Sequence, residues 1–271
     1  MISVITAVHN QLEMNRIFWE FLSKNTHHPF ELIVIDNAST DGSADFFESV
    51  GARVIRNQQN FSYPVTQNQG VRLASFDVFA FLNNDIIVGK NWDKILLRTM
   101  EYHGLDIATP AGIEKVETAS ETRRLNRRWN RIRNGLGWLG FRRLNLLRMW
   151  SWMYGNWEEF CASREKRFGN QVLEGFVGNS VVMTRKGYEK AGEWDERIQG
   201  ADWDLYIRSK KRAALYGDIK PVHVVLAAFN HHYVRLTAKS RPAPFADLAN
   251  IITLEEKWGE ERLQYLKDLP F

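Results

Sequence analysis

FELIVIDNASTDGS, residues 30–43, decides how the chain is read. Leu32 to Ile35 form a short apolar, largely β-branched run, and Asp36 and Asn37 close it with side chains that favour strand ends and turns. ISVITAV (2–8) upstream has the same character, and between the two lies QLEMNRIFWEFLSKN (11–25), with Leu12, Ile17 and Phe21 at helical spacing. These three segments predict a βαβ unit. Downstream, STDGSADFFESV (39–50) predicts a helix entered through Ser39 or Thr40, with Ser39, Thr40 and Asp41 as its capping residues. RVIRN (53–57) follows as a strand, YPVTQNQGVRLAS (63–75) as a helix and DVFAFLNND (77–85) as a strand. Alternation of this kind predicts an α/β fold with a mostly parallel central sheet flanked by helices, in which ligands gather beyond the strand C-termini.

The strand ends carry the polar groups that such an edge needs. The first ends in His9 and Asn10, the second in Asp36 and Asn37, and the fourth in Asn83, Asn84 and Asp85. Each cluster alone is ordinary turn chemistry, but their repetition along one edge points to a ligand site. Beyond it, NWDKILLRTMEYHG (91–104) predicts a helix and DIATP (106–110) a strand, and the pattern breaks near residue 115. EGFVGNSVVMTRKGYEKAGEWDE (174–196) reads as strand, turn and helix. ADWDLYIRSKKRAALYG (201–217) reads as a helix with its carboxylates first, HVVLAAFNHH (223–232) as a strand, and LANIITLEEKWGEERLQYL (248–266) as one terminal helix.

Charge is unevenly spread. The 271 residues carry a formal net charge of +4, yet residues 122–168 hold eleven Arg and one Lys against Glu158, Glu159 and Glu165, a local +9. Cys161 is the only cysteine, which excludes an intrachain disulfide and suits a reducing compartment. No basic leader with a long apolar core opens the sequence, and nowhere do about 18 apolar residues run without charge. A cytoplasmic protein is expected, with the inner face of the membrane as one place for it to work.

VITAVHN, IVIDNASTDGS, FLNND and GADWDLYIR, in this order and spacing, resemble the family 2 glycosyltransferases of the GT-A fold. The resemblance covers about residues 2–88 and 172–232. It implies an inverting transfer of a sugar from a nucleoside-diphosphate sugar, with a divalent metal, Mn or Mg. It places Asp36 at the nucleobase, with backbone groups of Thr6 and Val8 and the amide of Asn10 beside it, and Asn68 close to the nucleotide. Asn83-Asn84-Asp85 stands where the family has Asp-X-Asp. Asp85 therefore remains as the hard oxygen ligand a metal prefers, and Asn83 offers only hydrogen bonds. A downstream histidine completes the metal site in many relatives; FNHHYVRLT offers His231 and His232, and motif position selects His231. Ala201 replaces the Glu of the family's Glu-Asp-X-Asp, leaving Asp202 as the expected base and Asp204 as a helix-start or structural carboxylate. Trp194, Asp195 and Trp203 are expected to contact the acceptor, a glycan or lipid-linked glycan.

The intervening Arg- and Trp-rich segment lies outside the resemblance. Leu146, Leu147, Trp150, Met153, Tyr154 and Trp157 recur at helical spacing and predict one helix over 146–157. Three uses remain open for it: packing on the core or a homo-oligomer contact, a peripheral membrane or lipid-acceptor contact through 123–157, and a clamp for an acidic soluble acceptor. No recognised module points to nucleic acid. The expected division is a nucleotide-sugar half (1–115), the insertion (116–170), an acceptor half (171–240) and a helical tail (241–271). A nucleotidyltransferase would need a glycine-rich basic loop after the first strand, which VHNQLEMN is not. A non-catalytic carbohydrate- or membrane-binding protein on a degenerate transferase fold is the reading from another class, supported by Asn83 and Ala201.

Overall fold

The computed structural model describes residues 1–234 and 244–267, so the expected boundary at 240/241 lies outside the described residues. It opens with β1 (Ile2–Val8), α1 (Leu12–Asn25) and β2 (Phe30–Asn37). The two strands pair in parallel with Val8 opposite Asp36, which puts their polar ends at one edge. There follow α2 (Ser43–Ser49), β3 (Arg53–Asn57), α3 (Tyr63–Val71) and β4 (Val78–Leu82). Helix α3 lies so close to β1 that a Cβ on Gly70 would stand 2.3 Å from Cγ2 of Ile5, so only glycine fits there.

Helix α2 starts later than its sequence suggests. Gly42, with φ +86°, turns the chain before Ser43, and the carboxylate of Asp41 accepts the N–H groups of Ser43 (3.1 Å) and Leu12 (2.8 Å). Ser39 Oγ accepts the N–H of Asn10 at 2.7 Å. Ser39 and Thr40 thus join the end of β2 to the end of β1 and do not cap the helix.

The second half adds β5 (Ile86–Val88), α4 (Trp92–His103), β6 (Ile107–Ala111), α5 (Ala119–Leu136), α6 (Arg143–Tyr154) and α7 (Trp157–Phe168). It continues with β7 (Val172–Glu174), β8 (Ser180–Thr184), α8 (Arg185–Ala191), α9 (Ala201–Tyr216), β9 (His223–His232), α10 (Leu254–Trp258) and α11 (Glu261–Leu266). The strand order is β3-β2-β1-β4-β8-β6-β9-β5, with β7 also on β9. The sheet is parallel through β3-β2-β1-β4 and again between β6 and β9; β8 runs antiparallel to β4 and β6, and β5 and β7 antiparallel to β9.

The insertion forms three helices where one was expected over 146–157. Gly155, at φ +68°, ends α6, and the side chain of Asn156 accepts the N–H groups of Glu158 and Glu159 to start α7. Trp157 consequently belongs to the next helix, where its indole donates to the Val88 carbonyl (3.3 Å). Trp129, Met149, Met153 and Trp157 are buried in the same apolar cluster as β1 and β9, so the insertion is packed on the sheet. The tail is likewise broken in two at Gly259, φ +52°. No described helix is long and apolar enough to cross a membrane.

Candidate active site

Asp85 lies in the turn between β4 and β5, immediately before Ile86, and is buried, with 4% of its surface exposed. Its Oδ1 lies 3.2 Å from Nε2 of His232 at the end of β9, and the other ring nitrogen of that histidine makes a short contact with Glu114 Oε1. Glu114 Oε1 also accepts from the Asn179 amide (3.2 Å), and the Asn179 carbonyl receives the N–H of Asn83 (3.0 Å). The ends of β4, β6 and β9 and the start of β8 are therefore tied into one polar network. Burial draws the pKa of His232 down, but the carboxylates of Asp85 and Glu114 outweigh it and hold the ring well above its ordinary value.

This donor set fits a divalent cation. A carboxylate oxygen and an imidazole nitrogen stand side by side, and a second carboxylate behind the ring fixes its orientation, as outer carboxylates do for metal-bound histidines. Among the described residues no three His, Cys, Asp or Glu side chains form a metal cluster. The protein thus brings a sparse set of ligands, as Mg and Mn sites do when waters and phosphate oxygens complete the shell.

The ring of His231 goes elsewhere. Neighbouring residues on a strand face opposite sides. His231 is fully buried among Trp129, Tyr154 and Tyr233, with Nδ1 3.0 Å from the Tyr154 hydroxyl. Burial pushes its pKa well below the ordinary value, which keeps the ring neutral. It fastens α5 and α6 to the sheet and does not reach Asp85's side of the strand; the ring that stands beside Asp85 is that of His232, not that of the motif-selected His231.

Asp202, in the first turn of α9, lines a cleft of 510 Å³ with Glu114, Phe176, Gly178 and Trp203. The cleft is thus shared by Asp202 and by Glu114, the residue of the polar network that contacts His232. Desolvation pushes the Asp202 carboxyl above the usual range, against the opposing N–H of Trp203 at 3.0 Å. Gly178 leaves it room: a Cβ there would lie 2.0 Å from Asp202 Oδ2. A carboxylate with a raised pKa in a walled cleft suits proton abstraction.

At the other end of the edge, Asp36 is buried and one carboxylate oxygen has no partner, while the other accepts the Ser39 N–H (3.2 Å). Thr6 is buried with its hydroxyl unpartnered, and Val8 is buried opposite Asp36. An unpaired buried carboxylate oxygen is what a base N–H or ribose hydroxyl would satisfy. Asn10, at φ +57°, accepts the Thr40 N–H (2.8 Å), and the Asn84 amide donates to Asn15 Oδ1 (2.7 Å). Both asparagines shape the loops around the edge.

Three expected contacts are drawn into structure. Asn68 is buried, exchanging hydrogen bonds with the backbone N–H (3.1 Å) and carbonyl (2.9 Å) of Trp194, so its amide is spent on holding the loop before α9. Trp194 itself is 3% exposed and packs edge-on against Phe81 and Tyr63. Asp195 is paired with Arg197 (2.9 Å) and Lys257 (2.8 Å), which hold its carboxyl well below the usual range. Trp203, by contrast, lines the cleft with Asp202. Sequence reading passed over Glu114, which sits just past the apolar β6, the same polar-after-strand signal that marked Asp36 and Asp85, but at the place where the periodic pattern stops.

Residues 3–192 match the model of glycosyl transferase family 2. The chain belongs to that family. No curated protein matches it. Its fold is similar to the crystal structure of GalNAc-T7 with UDP, GalNAc and Mn2+ (14% identity, TM-score 0.61, 97% of this chain and 48% of that one). It is also similar to S. aureus TarS 1-349 in complex with UDP (14% identity, TM-score 0.51, 85% and 60%) and to S. aureus TarS 1-349 without a named ligand (14%, 0.51, 99% and 75%). These likenesses show the GT-A fold. The chain spans about half the length of GalNAc-T7 and three fifths of UDP-bound TarS.

Proposed function

We propose that the protein moves a sugar, with inversion, from a nucleoside-diphosphate sugar to a hydroxyl of a glycan or lipid-linked glycan. The observation that carries this reading is the shared cleft: Asp202 lines it together with Glu114, which contacts the His232 ring that stands beside Asp85. Family membership and the UDP and Mn2+ named with structures of the same fold support it.

Asp36 receives the nucleobase or ribose on its unpartnered oxygen, with the backbone of Thr6 and Val8 beside it. Asp85 and His232 hold a divalent cation, which when bound neutralises the charge that develops on the departing diphosphate. Asn83 provides a neutral donor at the same edge, beside Asn84, whose amide is bonded to Asn15. The acceptor hydroxyl, placed in the cleft against Trp203, loses its proton to Asp202 as its oxygen attacks C1 of the sugar from the face opposite the diphosphate. One base suffices for a direct displacement, and holding both substrates in line supplies much of the remaining acceleration. The cytoplasmic face is where such donors are expected to be met.

The test is a thermal-shift and hydrolysis screen of nucleoside diphosphates and their sugars, with and without Mn2+. Stabilisation by a nucleoside diphosphate that increases with Mn2+ is expected. No shift with any nucleotide overturns the transferase reading and leaves the non-catalytic binding protein in its place.

A further inference from the structure

We propose that the acceptor is lipid-linked through phosphate, and that Arg123, Arg127 and Arg131 of α5 hold that phosphate while its sugar reaches Asp202; this rests on the transferase reading above. The three arginines repeat every four residues, so they form one row along the helix, about 12 Å from first to last at 1.5 Å rise per residue. They line an open groove of 1120 Å³. Arg123 also lines the cleft of Asp202, so the groove adjoins the proposed catalytic cleft at the N-terminal end of the row.

The row is uncompensated. Arg124 pairs with Glu121 (2.7 Å), and Arg128 donates to the Trp152 carbonyl (2.7 Å). Among the described residues, Arg123, Arg127 and Arg131 make no hydrogen bond or ion pair. Like charges four apart on a helix repel, so the row works against the stability of α5. The helix is held in spite of this by buried Trp129 and by the Asn126 amide, which donates to the Ile113 carbonyl (2.9 Å). Guanidinium groups in a fixed row match phosphate oxygens in charge and geometry. The donor's own diphosphate is assigned to the Asp85 edge, which leaves this row for a second anion.

The surroundings of the row favour a lipid over an acidic glycan. Trp152 lines the groove and is 56% exposed, and Trp138 and Leu144, on the same helical hairpin, are 80% and 79% exposed. An exposed indole in the groove, with further exposed apolar side chains on the same hairpin, suits a phosphate with a hydrocarbon chain attached.

Farnesyl phosphate is titrated into the wild-type protein below its micelle concentration, with EDTA present to remove metal-assisted binding at the donor edge. Saturable binding is expected, weakened at least tenfold by Arg127→Glu with Arg131→Glu and by Trp152→Ala, all at exposed positions. The Lys double variant should retain most of it. Absence of saturable binding, or binding indifferent to the charge reversal, overturns the proposal. So do equal affinity for inorganic phosphate, which would mean that the lipid contributes nothing, a preference for a glucuronate oligosaccharide, and an equal affinity for vesicles of phosphatidylglycerol, which would mean a general membrane patch. Nucleotide shifts on the wild type judge the transferase reading separately, so failure of one is not mistaken for failure of the other.

Discussion

Nε2 of His232 stands 3.2 Å from Oδ1 of Asp85, while the ring of its neighbour His231 is enclosed by Trp129, Tyr154 and Tyr233. Adjacent histidines thus have separate tasks, one at the ligand edge and one in the core.

Exchanging each for alanine separates the tasks. His232→Ala should weaken Mn2+ binding, and Glu114→Gln should weaken it about 10- to 100-fold through loss of ring orientation. His231→Ala should leave Mn2+ affinity nearly intact but destabilise the fold by about 2–3 kcal/mol, through a cavity and an unsatisfied Tyr154 hydroxyl. Metal titration and thermal melts read both. Because the carboxylates hold the His232 pKa up, a proton competes with the metal, and Mn2+ affinity should rise with pH.

Asp202→Asn should lower turnover by about 10²- to 10⁴-fold and leave nucleotide binding intact. Its effect on stability has the opposite sign. The folded pKa of Asp202 is raised above the unfolded value, so its contribution is favourable below the unfolded pKa and is lost as pH rises through the folded one. At neutral pH the ionised side chain therefore opposes folding, and the amide variant should melt higher. Wild-type turnover should fall as acid protonates the same group; an unchanged acid limb in an otherwise active Asn variant would remove Asp202 as base.

Gly178→Ala tests the position of the base without removing it. The added methyl would stand 2.0 Å from Asp202 Oδ2, so the carboxylate must move. A displacement near 1 Å should cut turnover by about 100-fold. Steady-state rates with near-normal nucleotide shifts would show it.

Asp204 anchors the tail beneath the same helix turn. It is fully buried and receives Arg208 (2.7 Å), Lys257 (2.6 Å) and the Trp258 indole (2.8 Å). Asp204→Ala should destabilise the protein by roughly 3 kcal/mol, since breaking one side of a buried charged set leaves the rest unpaired. Limited proteolysis should then cut first around α10, and turnover should drop with the loosened start of α9.

The edge of the sheet was legible in the sequence because strand ends announce themselves locally. Apolar runs stop at Asp36 and at Asn83-Asn84-Asp85, and the helices between them carry their own periodicity. The late start of α2 and the splits at Gly155 and Gly259 were not, because a single positive-φ glycine ends a helix without disturbing the apolar spacing around it.

By itself, then, the sequence determined the α/β alternation, the row of polar strand ends and the carboxylates at Asp85 and Asp202. Which histidine joins Asp85 was decided by the pairing of β9 with β5, where His232 falls opposite Ile86 and His231 opposite Ile87. A strand's side chains alternate between faces, and only its partner's register says which face meets the ligand. The same holds for Asn68 and Trp194, whose side chains suit a site but are spent on structure: the Asn68 amide bonds the Trp194 backbone across 126 residues of chain, and the Trp194 ring packs on Phe81 and Tyr63, contacts that exist only once the sheet has formed.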